Sequence, residues 1–151
     1  MRPVAALIAA AGLGCIDDVG FFDPQVGEPI AVRCSDDDSD PGEDVSFAED
    51  LLPLFRGDLG PESCTCHFPG STNPIGIDQS GLDLSSLDSL LAGGANSGGQ
   101  IVVRGSPCTS ILWQKVSPGP PFGARMPFGG PFLSDAQIQS IADWISEGAR
   151  E

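Results

Sequence analysis

The chain has 151 residues, with 21 acidic against 7 basic side chains, one histidine, two methionines and five cysteines. A formal charge of −14 argues against binding nucleic-acid phosphates, which needs basic patches, and a lone histidine excludes three-histidine zinc, blue-copper and two-histidine facial-triad sites within one chain. With 20 glycines and 14 prolines, much of a single domain of ordinary size must be loop.

Residues 1–15 read MRPVAALIAAAGLGC. Arg2 forms a short positive n-region and Val4 to Leu13 an apolar run. That run is shorter than the roughly 20 residues needed to span a bilayer, and it fits a cleaved export signal over residues 1–14. The segment ending Gly14-Cys15 resembles the lipobox of bacterial lipoproteins, with Gly12 where leucine is usual. The resemblance implies that Cys15 is lipidated and becomes the mature N-terminus. The competing reading is an ordinary signal with an incidental cysteine. Either way the mature chain is expected in the cell envelope, periplasmic or on the outer surface, where disulfides persist.

Charge is concentrated early. Residues 1–62 hold 14 acids and 3 bases, against 7 acids and 4 bases in residues 63–151. The densest run is Asp36, Asp37, Asp38, Asp40, Glu43 and Asp44, which suits a solvated linker over 15–44. A calcium loop starting at Asp36 would need glycine at its sixth place and glutamate at its twelfth. Those places hold Pro41 and Phe47, so the motif fails.

The remaining residues, 45–151, predict a small all-α domain with long Gly/Pro-rich loops. Ser46 and Glu49 make a capping-box pattern, followed by Phe47, Leu51, Leu54 and Phe55 on one helical face. Pro53 should kink or shorten this helix, and Gly57 and Gly60 should end it. A short helix is expected around Ser86 to Leu91, closed by Gly93 and Gly94. Ile101 to Val103 reads as a brief extended segment. Ser106-Pro107 reads as a helix start that carries Ile111, Leu112 and Trp113. Ser134 and Gln137 make a second capping box, and Ile138, Ile141, Ala142 and Ile145 keep helical spacing up to Gly148. The loop Ser117 to Leu133 holds five prolines and four glycines. Such stiffness suits a loop that must hold one side chain in place. It contains Met126, the only methionine besides the initiator. A blander role for Met126 is to fill a gap in the core.

Cys64-Thr65-Cys66-His67 contains the single histidine. A cysteine followed directly by histidine is the second half of C-x-x-C-H, the c-type haem attachment sequence. There, thiols add to the haem vinyl groups, and the adjacent histidine lies beneath the iron. A methionine from a later loop can complete the other face, and this pairing raises the reduction potential.

The wider order of residues extends that pattern. It runs from the first helix through Cys66-His67, Gly81-Leu82-Asp83-Leu84, Val102-Val103-Arg104-Gly105-Ser106-Pro107, Ser110-Ile111-Leu112-Trp113 and Ala124-Arg125-Met126-Pro127 to a last helix ending Trp144 to Ala149. It resembles the small c-type cytochrome domains of bacterial envelope proteins, including planctomycete and myxobacterial ones, over roughly residues 45–150. The resemblance implies a cytochrome c-like fold of a few helices around one covalent haem c. It further implies His67 as proximal iron ligand, Cys66 as the thioether cysteine beside it and Met126 as distal ligand. The implied activity is electron transfer to redox partner proteins from a lipid-anchored carrier, not enzymatic turnover. A peroxidase use is disfavoured, because Met126 would fill the open iron position and no second histidine is available.

This chain departs from the family at the first cysteine: Ser63 stands where it is usual, and Cys64 follows. Three cysteine arrangements compete. Cys64 and Cys66 both bind haem and Cys34 pairs with Cys108; or Cys66 alone binds haem and Cys64 pairs with Cys34 or Cys108; or all four form two disulfides and no haem is bound. The last makes the alternative function a haem-free, disulfide-stapled surface lipoprotein. A zinc site from Cys64, Cys66, His67 and Cys108 has the right count, but C-x-C is tighter than usual spacers.

Overall fold

The structure, a computed structural model, describes residues 34–151. Cys15 and the export segment lie outside the described residues. Among the described residues the architecture is helical with no strand, as expected for an all-α domain. No helix of the described residues is long and apolar enough to cross a membrane.

The first helical segment begins where Ser46 predicts. Its hydroxyl accepts the Glu49 N–H at 3.1 Å, but the return bond comes from Asp50, whose carboxylate accepts the Ser46 N–H at 2.8 Å. Pro53 acts one turn earlier than a simple kink. A proline ring would collide with the carbonyl four residues back and offers it no N–H. The chain takes a wide π-helical turn over Phe47–Leu51 before the α-helix α1, Leu52–Arg56. Gly57, at φ 80°, closes α1, with its N–H on Leu54 and the Asp58 N–H on Pro53. This is the paired C-terminal bonding that a left-handed glycine permits.

A 3₁₀ turn follows at Thr65–His67, then α2 at Ile75–Ser80, an element with no apolar periodicity in the sequence. α3, Leu87–Ala92, is capped by Ser86 and ends at Gly93 as expected. Ile101 is not extended but in the αR region, ending a 3₁₀ turn over Gly98–Gln100. The helix expected from Ser106 is split. Pro107–Thr109 forms a 3₁₀ turn, and α4, Ile111–Val116, starts afresh after Ser110. The Ser110 hydroxyl is fully buried and spent on Val103 and Ser106 instead of capping α4. α5, Asp135–Ser146, has the reciprocal Ser134–Gln137 capping box.

The core forms where the first helical segment meets α5. Phe47, Leu51, Phe55, Ile141, Trp144 and Ile145 are fully buried. Phe47 sits 5.9 Å from the Trp144 ring and 6.4 Å from that of Phe55, within the range of favourable aromatic pairs. Arg104 donates to the carbonyls of Gly148 and Ala149, just past the C-terminal end of α5, where a cation suits the helix dipole.

The acidic stretch read as a linker is fastened to this domain from Cys34 onward. Cys34 and Cys108 form a disulfide across 74 positions of chain. Asp36 accepts the Cys108 N–H at 2.9 Å. The backbone and hydroxyl of Ser39 both donate to Asp143 on α5, at 2.8 and 2.7 Å. Asp38 and Asp40 accept backbone N–H groups two residues on, so these carboxylates stabilise turns.

Candidate functional site

A cavity of about 380 Å³ opens beside the core, within the roughly 300–1,000 Å³ usual for cofactor and small-molecule sites. Its walls are mostly apolar: Phe55 from α1, Leu84 from the segment after α2, Ile101, and Leu112 and Val116 from α4. Cys64, His67 and Met126 line the same cavity, as do Phe122 and Phe128, both exposed. The fold therefore brings together three of the four side chains singled out in the sequence. The fourth, Cys66, is half-buried and does not line the cavity.

His67 is placed by its flanks. The Cys64 N–H donates to Phe55 at the end of α1, the His67 N–H donates to Cys64, and the His67 carbonyl accepts from Leu84, all within 2.9 Å. Its ring is buried, with Nδ1 3.1 Å from the Leu82 carbonyl oxygen. A carbonyl can only accept, so Nδ1 carries the proton and Nε2 keeps its lone pair. Burial pushes the His67 pKa below its ordinary value, opposed by the Leu82 carbonyl. The neutral imidazole that results is the form that binds metals.

Gly76, in the first turn of α2, runs against that ring. A Cβ there would lie 2.8 Å from His67 Cδ2, His67 Nε2 and the Cys66 carbonyl. Nothing in the sequence marks Gly76 among the 20 glycines; its role comes from the approach of α2.

Met126 is held on α4 through one residue. The Met126 N–H donates to the Lys115 carbonyl at 2.8 Å. The Lys115 ammonium donates to the carbonyls of Phe122 and Ala124 at 2.7 and 2.5 Å and lies 4.9 Å from the Phe122 ring centre. Burial lowers its pKa. Arg125 adds a bond from Nε to the Val116 carbonyl at 2.8 Å and stacks 4.4 Å from the Phe132 ring centre. Lys115 is the only lysine in the chain, and that scarcity is the one signal that could have marked it.

The remaining cysteines sort cleanly. Cys34 and Cys108 are bonded to each other, so neither pairs with Cys64, and Cys108 is not available as a zinc ligand. Cys34, Asp36 and Cys108 are also the one metal-like grouping among the described residues, but its two sulfurs are those of the disulfide. Cys64 and Cys66 are thiols. Burial, with Cys66 beside it, pushes the Cys64 pKa up to about 12, so it is held as the protonated thiol.

These residues fit a haem on grounds of their own chemistry. An imidazole with a fixed tautomer and an unshared Nε2, a thioether and a thiol all line one largely apolar cavity. The chain matches no family model, no curated protein and no solved structure.

Proposed function

We propose that residues 34–151 form a c-type cytochrome domain that carries electrons, exported and tethered to the membrane through a lipid on Cys15. The observation that carries the reading is the meeting of the only histidine and the only internal methionine at one apolar cavity. Haem c, when bound, supplies a reversible one-electron couple at its iron.

The chain's own residues would do the rest. His67 would ligate through Nε2, with the Leu82 carbonyl fixing its tautomer and raising its basicity. Met126 would supply the thioether that favours the reduced iron and raises the potential. With both ligands protein-derived, the site favours electron transfer over substrate chemistry. Phe55, Leu84, Leu112 and Val116 would exclude water and lower the local dielectric, a second lever on potential. The excess acidic charge supports recognition of basic redox partner proteins at low salt.

The test is expression of the full chain with an intact haem-attachment system. Expected are the sharp visible bands of a low-spin reduced c-type haem, and one haem per chain retained after denaturation. A folded chain that carries neither iron nor haem overturns the reading and leaves the haem-free, disulfide-stapled lipoprotein.

A further inference from the structure

We propose that the chain is attached to its haem through Cys64 alone, and that Cys66, the cysteine next to the histidine, stays a thiol. The inference rests on the haem-binding reading above and deepens it.

Its basis is the phase of one short element. Thr65–His67 is a 3₁₀ turn with Cys64 as its N-cap, and the His67 N–H bonds back to the Cys64 carbonyl at 2.8 Å. In a 3₁₀ turn, side chains three residues apart eclipse one another. Cys64 and His67 are three apart, so they share a face, and that face lines the cavity. Cys66 is one residue from His67 and points a third of a turn away. Burial agrees: Cys64 is 7% exposed, while Cys66 is only half-buried and outside the cavity lining. The Cys64 sulfur also has no hydrogen-bond partner among the described residues, so no polar contact need be broken to engage it.

The chemistry balances without a further reagent. The Cys64 S–H adds across one porphyrin vinyl group. Sulfur bonds to the vinyl carbon next to the ring, the proton ends on the terminal carbon as part of a methyl group, and the vinyl double bond becomes single. No electrons are lost or gained overall. The second vinyl group is left unmodified, because among the described residues no second thiol lines the cavity.

The experiment compares the full chain with Cys64→Ser and Cys66→Ser, each made with the haem-attachment system. Tandem mass spectrometry of the haem-bearing peptide locates the added mass in the unaltered chain, where folding of a variant is not at issue. The expected result is haem mass on Cys64, a free thiol at Cys66, and a pyridine haemochrome band between those of two-thioether and unattached haem. Cys66→Ser should keep its covalent haem, and Cys64→Ser should lose it to acid extraction. Haem on Cys66, on both cysteines, or lost in Cys66→Ser overturns single attachment through Cys64 but leaves the cytochrome reading standing. An unaltered chain without any haem overturns both.

Discussion

His67 and Met126 reach the same cavity by different means, and the difference sets what each mutation should do. His67 is fixed by three backbone bonds and by Leu82 acting on its ring. Met126 is fixed by one backbone bond to Lys115 of α4 and by the loop that carries it. His67→Ala should abolish low-spin ligation and sharply lower haem yield. On the proposed haem-binding reading, Met126→Ala should leave covalent haem in place, remove the thioether ligand and lower the potential. The reduced visible spectrum and a redox titration check both, and an unchanged spectrum in Met126→Ala would remove that residue from the ligand set. Scarcity makes these two positions legible in the amino-acid sequence: a single histidine and a single internal methionine leave few choices. Which cysteine faces the cavity is not legible there. That depends on whether Thr65–His67 winds as 3₁₀ or α, and so short a stretch between a loop and a Pro-Gly turn carries no periodicity to decide it.

Two elements position the candidate ligands, and each exposes a limit of sequence patterns. α2 has no buried residue, so no amphipathic signature announces it. Its contribution is the bare backbone of Gly76 beside the His67 ring. On helix propensity alone Gly76→Ala should stabilise by up to about 1 kcal/mol. With a Cβ 2.8 Å from the Cys66 carbonyl and two ring atoms, overpacking should win, for a net loss of roughly 1–2 kcal/mol. Chemical denaturation measures it, and a stabilised variant would show that α2 does not press on the ring. α4 and the loop after it form the second element. The stiffness of Ser117 to Leu133 is evident from its prolines, but the strut that sets its height is not. Lys115→Leu keeps apolar bulk at the site and removes the donor to Phe122 and Ala124. It should cost roughly 1–3 kcal/mol, as for charge-assisted bonds to partly buried acceptors. In the haem-bound protein, it should also weaken methionine ligation in the spectrum while His67 ligation persists. Loss of stability without that spectral change would assign Lys115 to folding alone.

At the scale of the whole molecule, residues 34–45 behave as part of the domain. Their charge is what a linker shows, and composition carries no trace of the contacts they make with the C-terminal end of α5 and with Cys108. The disulfide Cys34–Cys108 closes a long loop. Loop-closure entropy gives such a link roughly 4 kcal/mol. Cys34→Ser with Cys108→Ser should lower stability by up to that amount, seen as a lower denaturant midpoint with or without reductant, whereas the unaltered chain should lose it only when reduced.

The same packing gathers carboxylates around the end of α5, and one of them should report it through pH. Glu147 follows the last residue of the helix, where the dipole disfavours an anion. Burial, with Asp38, Asp44 and Asp143 nearby, pushes its pKa above the ordinary 4.5, against the Val45 N–H that donates to it. Its second oxygen is buried without a hydrogen-bond partner. The folded state therefore holds this proton more tightly than the unfolded chain. Between the two pKa values the folded state binds more protons, so stability falls as pH rises. The contribution is fully present below 4.5 and lost as pH climbs through the raised folded value, so at neutral pH the charged Glu147 is a burden. Glu147→Gln keeps an oxygen for the Val45 N–H and places an uncharged amide among the acids. It should raise the melting temperature at neutral pH, and the gain should shrink towards nothing as pH falls below 4.5. A gain of the same size at every pH would trace the effect to packing, and a loss at neutral pH would mean that the charged hydrogen bond to Val45 outweighs the crowding of carboxylates that anchors residues 34–45 to α5.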